Sequence, residues 1–394
     1  MATLSQSPTD PAFVQNPYPF YASARARGPM HDWTEYGMPA VFDHDTVSAL
    51  LRDRRFGREC PQELKKPVPA HIAPFEAVER YSMLSLDGDP HKRMRSLTLR
   101  AFTSRRIGKL EPDIMEICNS LIDAFPKGEP FDLIPAYATD LPVKIICRLL
   151  GVPEEMGPQL LDWSNTMVAM YQARRDRAIE EAAATAAADF AAYIRGYAEE
   201  KRRNPADDLI TELLAAEEAG EKLTMDELVG TCIVLLNAGH EATVHTIGNG
   251  TLALLRHGEA ARWLTPDHVD GTVEEVLRHD PPLHIFTRYA YETAEVAGRT
   301  FERGDQVALL LGAANRDPLA WDNPEVFDPS RPVKTNTSFG AGAHFCIGAP
   351  LARLELRHAL PILFNRCPEL KLAADPQYAD LYHFHGLEQL MVQV

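Results

Sequence analysis

The sequence predicts a mainly helical protein with small β-sheets at its edges, and three observations lead there. Apolar residues recur at helical spacing through most of residues 113–257, interrupted by Pro and Gly. One long helix is announced by Thr224-Met225-Asp226-Glu227. This is a capping box, in which Thr224 accepts from the backbone N–H three residues on and Glu227 reaches back. Strand signals are short and fall in two places, residues 30–42 and 295–311.

In chain order, residues 30–42 read as a small hairpin. Residues 91–109 carry Lys92, Arg93, Arg95, Arg100, Arg105, Arg106 and Lys109 with no acid among them. This run reads either as a solvated helix face or as a basic patch for an acidic protein partner. The Ala-rich stretch 180–192 reads as helix. The helix that opens at Thr224 should reach about Leu255, on the order of 45 Å at 1.5 Å per residue. Its first half is apolar almost all round (Leu228, Ile233, Val234, Leu235, Leu236), as in a helix buried within a large core. The stretch Ala238-Gly239-His240-Glu241 breaks that pattern. A glycine in mid-helix costs roughly 1 kcal/mol against alanine, and a buried carboxylate needs a partner or a proton. Residues 295–311 read as a second hairpin turning at Arg303-Gly304-Asp305, and residues 349–360 as a helix.

The chain has 394 residues, 45% hydrophobic and 24% charged, a globular composition. No stretch reaches the roughly 18 apolar residues of a membrane span, and the polar start lacks a signal peptide's apolar core. These features predict a cytoplasmic protein without a membrane anchor. The six cysteines are scattered with no CxxC pair, which suits a reducing compartment better than a disulfide framework or a zinc site. A net charge of −16 speaks against nucleic-acid binding.

The most informative segment is Phe339-Gly340-Ala341-Gly342-Ala343-His344-Phe345-Cys346-Ile347-Gly348. A thiolate ligand needs such a setting. Glycines let the backbone approach a flat group, and backbone N–H groups with a following helix N-terminus stabilise negative sulfur. The segment closely resembles the haem-ligand loop of the cytochrome P450 family, for which thiolate ligation of haem iron is established. The resemblance covers roughly residues 16–390. Ala238-Gly239-His240-Glu241 resembles the oxygen-binding groove, Glu275-Val276-Leu277-Arg278 the ExxR pair, and Asn315-Arg316-Asp317-Pro318 and Phe327-Asp328-Pro329-Ser330-Arg331 the segments leading to the Cys loop.

The resemblance implies a single P450 domain over residues 1–394, a triangular helical fold around a buried haem b, with no fused reductase or ferredoxin. Cys346 would be the iron ligand and His91, Arg95, Arg288 and His344 the propionate donors. Phe339, Gly340 and Gly348 would shape the Cys loop, and Ala238 and Gly239 would lie over the haem. Glu275, Arg278 and Arg331 would form a buried network beneath it. Tyr81, Leu84, Val234, Asn237, Leu283, His284, Phe286, His383 and Phe384 match the family's substrate-lining segments. The implied activity is insertion of one atom of O2 into a small apolar organic substrate. Electrons would come from NAD(P)H through an acidic ferredoxin and its reductase, docked at Lys92, Arg353 and Arg357, on a monomer. A peroxide-driven peroxygenase is the alternative, and a haem-based ligand sensor without turnover a further one.

One departure stands out. The family's groove has an acid followed by threonine, whereas here Glu241 is followed by Ala242, with Thr243 one place later. That step turns the hydroxyl by about 100° around the helix. The catalytic candidates are therefore Glu241, Ala242 and Thr243, with three routes open: Thr243 acting through water, a hydroxyl on the substrate, or leaky oxygen activation.

Overall fold

The computed structural model describes residues 3–172, 174–218 and 220–394. Helices dominate, and one sheet of six strands lies to the side. Its strands are β1 (Thr3–Leu4), β2 (Met30–Trp33), β3 (Met38–Val41), β4 (Phe56–Gly57), β5 (Ile285–Ala290) and, after the hairpin β6 (Ala294–Val296) and β7 (Arg299–Phe301), β8 (Gln306–Leu310). The order is β1-β2-β3-β8-β5-β4. β2 and β3 form the expected antiparallel hairpin, Met30 opposite Val41 and Trp33 opposite Met38. β8 runs parallel to β3 and antiparallel to β5.

The second predicted hairpin is drawn differently. β6 and β7 pair antiparallel across Ala297 and Gly298, whose φ values are 49° and 75°. Two consecutive left-handed residues match the twist of a tight hairpin. Arg303-Gly304-Asp305 is instead the link that sends the chain into β8, with Asp305 N–H donating to the Glu302 carbonyl at 3.0 Å.

Six helices position the site: α1 (Gly88–Ala101), α2 (Asp140–Leu150), α3 (Arg177–Arg203), α4 (Met225–His257), α5 (Val269–His279) and α6 (Ala349–Arg366). Both halves of the α4 capping box are present, Glu227 N–H to Thr224 Oγ1 at 3.2 Å and Thr224 N–H to Glu227 Oε2 at 2.8 Å. With 33 residues α4 is about 50 Å long. It packs against α2, α3, α5 and α6. Gly250 lets α5 come close, since a Cβ there would lie 2.8 Å from Val276 Cγ1. α6 continues past the expected end at Leu360 and through Pro361. The proline removes its own N–H, but buried Leu363 and Phe364 beyond it hold the helix to the core. No helix among the described residues is long and apolar enough to cross a membrane.

Candidate active site

The site is built upward from α5. Glu275 and Arg278, three apart on one helix face, are 3% and 1% exposed. Arg278 donates to both Glu275 oxygens at 2.7 Å, to the Asn315 and Pro324 carbonyls at 3.0 and 2.8 Å, and to the Val326 carbonyl at 3.0 Å. All five guanidinium N–H groups are thereby used, which is what a buried charge requires. Arg331 joins at 3.3 Å from Glu275 Oε2, and Asp328 N–H donates to Glu275 Oε1 at 2.8 Å. From here the network reaches the Cys loop. The Asn315 side chain accepts from Thr337 N–H and donates to Ser338 Oγ, both at 2.8 Å. Phe339 is the next residue.

The loop that follows closes on itself, Cys346 N–H donating to the Phe339 carbonyl at 3.0 Å. Gly340 and Gly342 have φ of 66° and 68°, and a Cβ on Gly342 would meet the Leu51 carbonyl oxygen at 2.5 Å. Gly348 has an ordinary φ of −80° and serves as the α6 N-cap. Burial pushes the Cys346 thiol up, while the backbone N–H groups of Gly348 and Ala349, then Arg95 and Arg353, act in the opposite direction. Sulfur at a helix N-terminus with two amide donors is suited to carry negative charge once a cation shares it. Arg353 lies over the Phe339 ring at 4.6 Å.

Beside the loop lies a set of cations. Arg95 donates to the Phe345 carbonyl at 2.6 Å. His91 and His344 stack, ring centroids 4.3 Å apart. His91 Nε2 is buried with no partner. Burial, then His344 and Arg95, pull the His91 ring down to about 4. Arg288 is 2% exposed, and among the described residues its side chain donates to the Thr287 carbonyl. Burial, then neighbouring Arg58, pulls it down to about 9. A buried guanidinium held by a carbonyl, beside an imidazole nitrogen without a partner, calls for an anion. The two propionates of the predicted haem supply one, so this donor set fits that group.

The sequence reading missed two residues here. Arg58 shares the Phe286 ring with Arg288, at 5.3 and 5.9 Å. Asp87 accepts from His344 Nε2 at 2.8 Å, from Tyr291 Oη at 2.7 Å, from Glu59 N–H at 2.9 Å and from Arg58 N–H. These donors hold its carboxyl well below the usual range although burial opposes them. Neither residue sits in a motif, so only proximity in space reveals it.

On α4, Ala238 is exposed and Asn237, Gly239, Glu241 and Ala242 are half-buried, in a helix otherwise mostly buried. A cleft therefore opens against this stretch. Thr243, a predicted catalytic candidate, is 5% exposed and donates its hydroxyl to the Gly239 carbonyl at 3.0 Å. Its hydroxyl is spent on the helix backbone.

The packing places the remaining expected site residues. His284 is fully buried, held by Tyr21 Oη at 2.9 Å in a cluster with Tyr18, Asp280 and His385, and has no exposed surface to offer a substrate. Phe286 packs on the Cys loop, where a Cβ on Gly340 would lie 3.2 Å from its ring. Strand alternation puts it on the same side as Arg288. The His383 ring lies against Tyr36 and Tyr382, 5.7 and 5.8 Å away. Tyr81 packs on α4 at Gly230, and Leu84 is exposed. Val234 is 9% exposed, and Asn237 Nδ2 lies 3.9 Å from Met167 Sδ. Leu283 and Phe384 bridge as a β pair. Part of the basic run is paired with acids, one nearby and the others distant in sequence. Lys92 pairs with Asp89, Arg93 with Glu227, and Arg106 and Lys109 with Asp207. Arg353 pairs with Glu274 and Arg357 with Asp270.

The cytochrome P450 family model matches residues 56–265 and 268–378. The biotin biosynthesis cytochrome P450 of Bacillus subtilis (strain 168) is 35% identical over 398 residues, 99% of each chain. The cytochrome P450 monooxygenase PikC of Streptomyces venezuelae is 37% identical over 376 residues, 92% of this chain and 87% of the other. Among solved structures, P450BioI in complex with hexadec-9Z-enoic acid ligated acyl carrier protein superposes with a TM-score of 0.91 at 35% identity, covering 97% of this chain and 99% of that one.

Proposed function

From the premise that this chain belongs to the cytochrome P450 family of monooxygenases, we propose that it binds haem b through Cys346 and hydroxylates an apolar organic substrate. When bound, thiolate-ligated haem supplies the oxygen-activating chemistry and favours O–O cleavage. The chain's own part is to hold, orient and shield. Cys346 offers sulfur backed by two amides, and His91, Arg95, Arg288 and His344, joined by Arg58, hold the propionates. Phe339 keeps water from the sulfur, and the Glu275–Arg278–Arg331 network holds the loop in register. Gly239 and Ala238 carry little side chain on the α4 stretch that would meet the group, and Glu241 and Ala242 lie on the same half-buried stretch.

The observation that carries this reading is a cluster of Arg58, Arg288, His91 and His344, with Asp87 as a neighbouring acid and His91 Nε2 left unpartnered, beside a cysteine at a helix N-terminus. Asn237, half-buried on α4, and the bridged pair Leu283 and Phe384 are the candidate substrate contacts, with Tyr81, Leu84 and Val234 as further ones. The neighbour solved with a fatty acid on its carrier protein supports an apolar chain as one substrate class. Electrons come from NAD(P)H by way of a ferredoxin and its reductase, to a monomer in the cytoplasm. Lys92, Arg353 and Arg357 contribute to docking through exchange of their present acid partners.

The test is a titration of the ferric protein with a panel of fatty acids, terpenes, steroids and macrocycles, followed by turnover with a surrogate ferredoxin and reductase. A low-to-high-spin shift and O2-dependent product are expected. A reduced carbon monoxide spectrum without the thiolate signature overturns the assignment of Cys346. Turnover supported by hydrogen peroxide alone, and by no reductase, establishes the peroxygenase instead.

A further inference from the structure

One turn beyond Glu241 on α4, His245 presents an anomaly. Both of its ring nitrogens are buried without a hydrogen-bond partner, and so is Glu241 Oε2. His245 Nε2 lies 3.8 Å from Glu241 Oε1, the two side chains being 9% and 12% exposed. Unpaired buried polar atoms are destabilising, so three of them in one place call for a reason. At 3.8 Å the pair is too far apart for a direct hydrogen bond. It is close enough for a small rotation or one bridging water to connect them.

The niche around the imidazole is built for it. A Cβ on Gly386 would lie 1.9 Å from His245 Nδ1. Gly386 has no left-handed φ, so its missing side chain makes room for the ring and does not serve the backbone. The Phe384 ring stands 5.8 Å away on the same segment. The other groups near Ala242 are already engaged. Thr243 donates to the Gly239 carbonyl, and Thr246 donates to the Ala242 carbonyl at 2.7 Å. His240 contacts the Leu236 carbonyl at 3.0 Å and Asn165 Oδ1 at 3.3 Å. On the packed segment His385 is turned to Asp280, Nδ1 to Oδ1 at 2.8 Å. Among the described residues, Glu241 is the acid within ion-pair distance of His245.

We propose that Glu241 and His245 form a carboxylate–imidazole relay that passes protons toward the cleft in place of the hydroxyl missing at Ala242. The inference rests on the monooxygenase reading. In each transfer an imidazolium N–H bond breaks and a Glu241 O–H bond forms, directly or through water. The carboxyl then releases that proton on its cleft side, and His245 is reprotonated from solvent. No electrons move in this step. His245 acts through Glu241 and is a positioning residue.

Two measurements test it. The first follows the His245 ring by NMR in the ferrous carbon monoxide form, assigned by its loss in His245→Asn. In Glu241→Gln the ring nitrogen shifts should change, because the neighbouring side chain can no longer share a proton with the imidazole, directly or through water. Unchanged ring shifts overturn the relay. The second measures product per NAD(P)H against pH. His245→Asn should lower turnover by ~10²-fold, the low end for a positioned proton-transfer group, and erase the imidazole limb of the profile. Ala242→Thr in that background should restore coupling, which a purely structural role for His245 does not predict. Wild-type profile and coupling in His245→Asn overturn the relay while leaving the monooxygenase reading intact. A wild-type protein that forms no product with any donor goes against the monooxygenase reading itself, and the NMR result still decides whether the pair is coupled.

Discussion

Asp87 accepts a hydrogen bond from His344 Nε2 at 2.8 Å, and so fixes a ring that lies two residues before Cys346. The same carboxylate takes Tyr291 Oη and two backbone N–H groups. It thereby joins the start of α1 and the strand β5 side of the sheet to the Cys loop.

Asp87→Ala should therefore lower haem occupancy and thermal stability together, while Asp87→Asn, which can still accept, should do so less. A buried donor left without its acceptor costs about 1–3 kcal/mol. The ratio of Soret to protein absorbance and the melting temperature check this. Full occupancy in Asp87→Ala would mean that His344 is held by something else.

Glu275→Ala should leave little haem-loaded protein. Removing one member of a buried ion pair leaves the other uncompensated, at roughly 3–5 kcal/mol. Here Arg278 and Arg331 would both lose their acid. Recovery of a stable, fully loaded variant in expression trials would contradict the role given to this network.

Thr243→Val should leave product per NAD(P)H close to the parent value, because the Thr243 hydroxyl is already donated to the Gly239 carbonyl. Ala242→Thr should alter it, since residue 242 faces the cleft. Uncoupled oxygen consumption, read as peroxide, checks both. A large loss of coupling in Thr243→Val would mean the hydroxyl leaves its carbonyl during turnover.

Glu355→Gln should stabilise the protein most at alkaline pH. Glu355 is 2% exposed on α6, and burial pushes its carboxyl up to about 8. The folded state therefore keeps a proton that the unfolded chain gives up above 4.5, its ordinary value. Stability falls as pH rises from there to about 8 and is level beyond, a loss of a few kcal/mol. Glutamine has no such dependence. Thermal melts of the two proteins should converge near pH 5 and separate by several degrees near pH 8. Parallel curves would show that Glu355 is solvated or paired.

The helical class, the capping box, the first hairpin and the Cys loop were all legible in the sequence, because each is written in neighbouring residues. So was the Glu275–Arg278 pair, which helical spacing alone brings together. The second hairpin was misdrawn because two turns compete for it, and the left-handed pair Ala297-Gly298 is the one compatible with strand twist. His284 and Phe286 were assigned to the pocket from their place in the chain. Tyr21 on one side and the Cys loop on the other decide where those rings lie.

The same division holds for the site. The sequence by itself determined the thiol, its glycines, the acid of the groove and the missing hydroxyl, since these depend on residue type and local spacing. Only the tertiary structure decided that Arg93, Arg106 and Lys109 meet acids distant in sequence, that Asp87 and Arg58 join the anion-binding set, and that His245 stands unpaired beside Glu241. Charge compensation and desolvation depend on distances between groups far apart in the chain, and no local pattern records them.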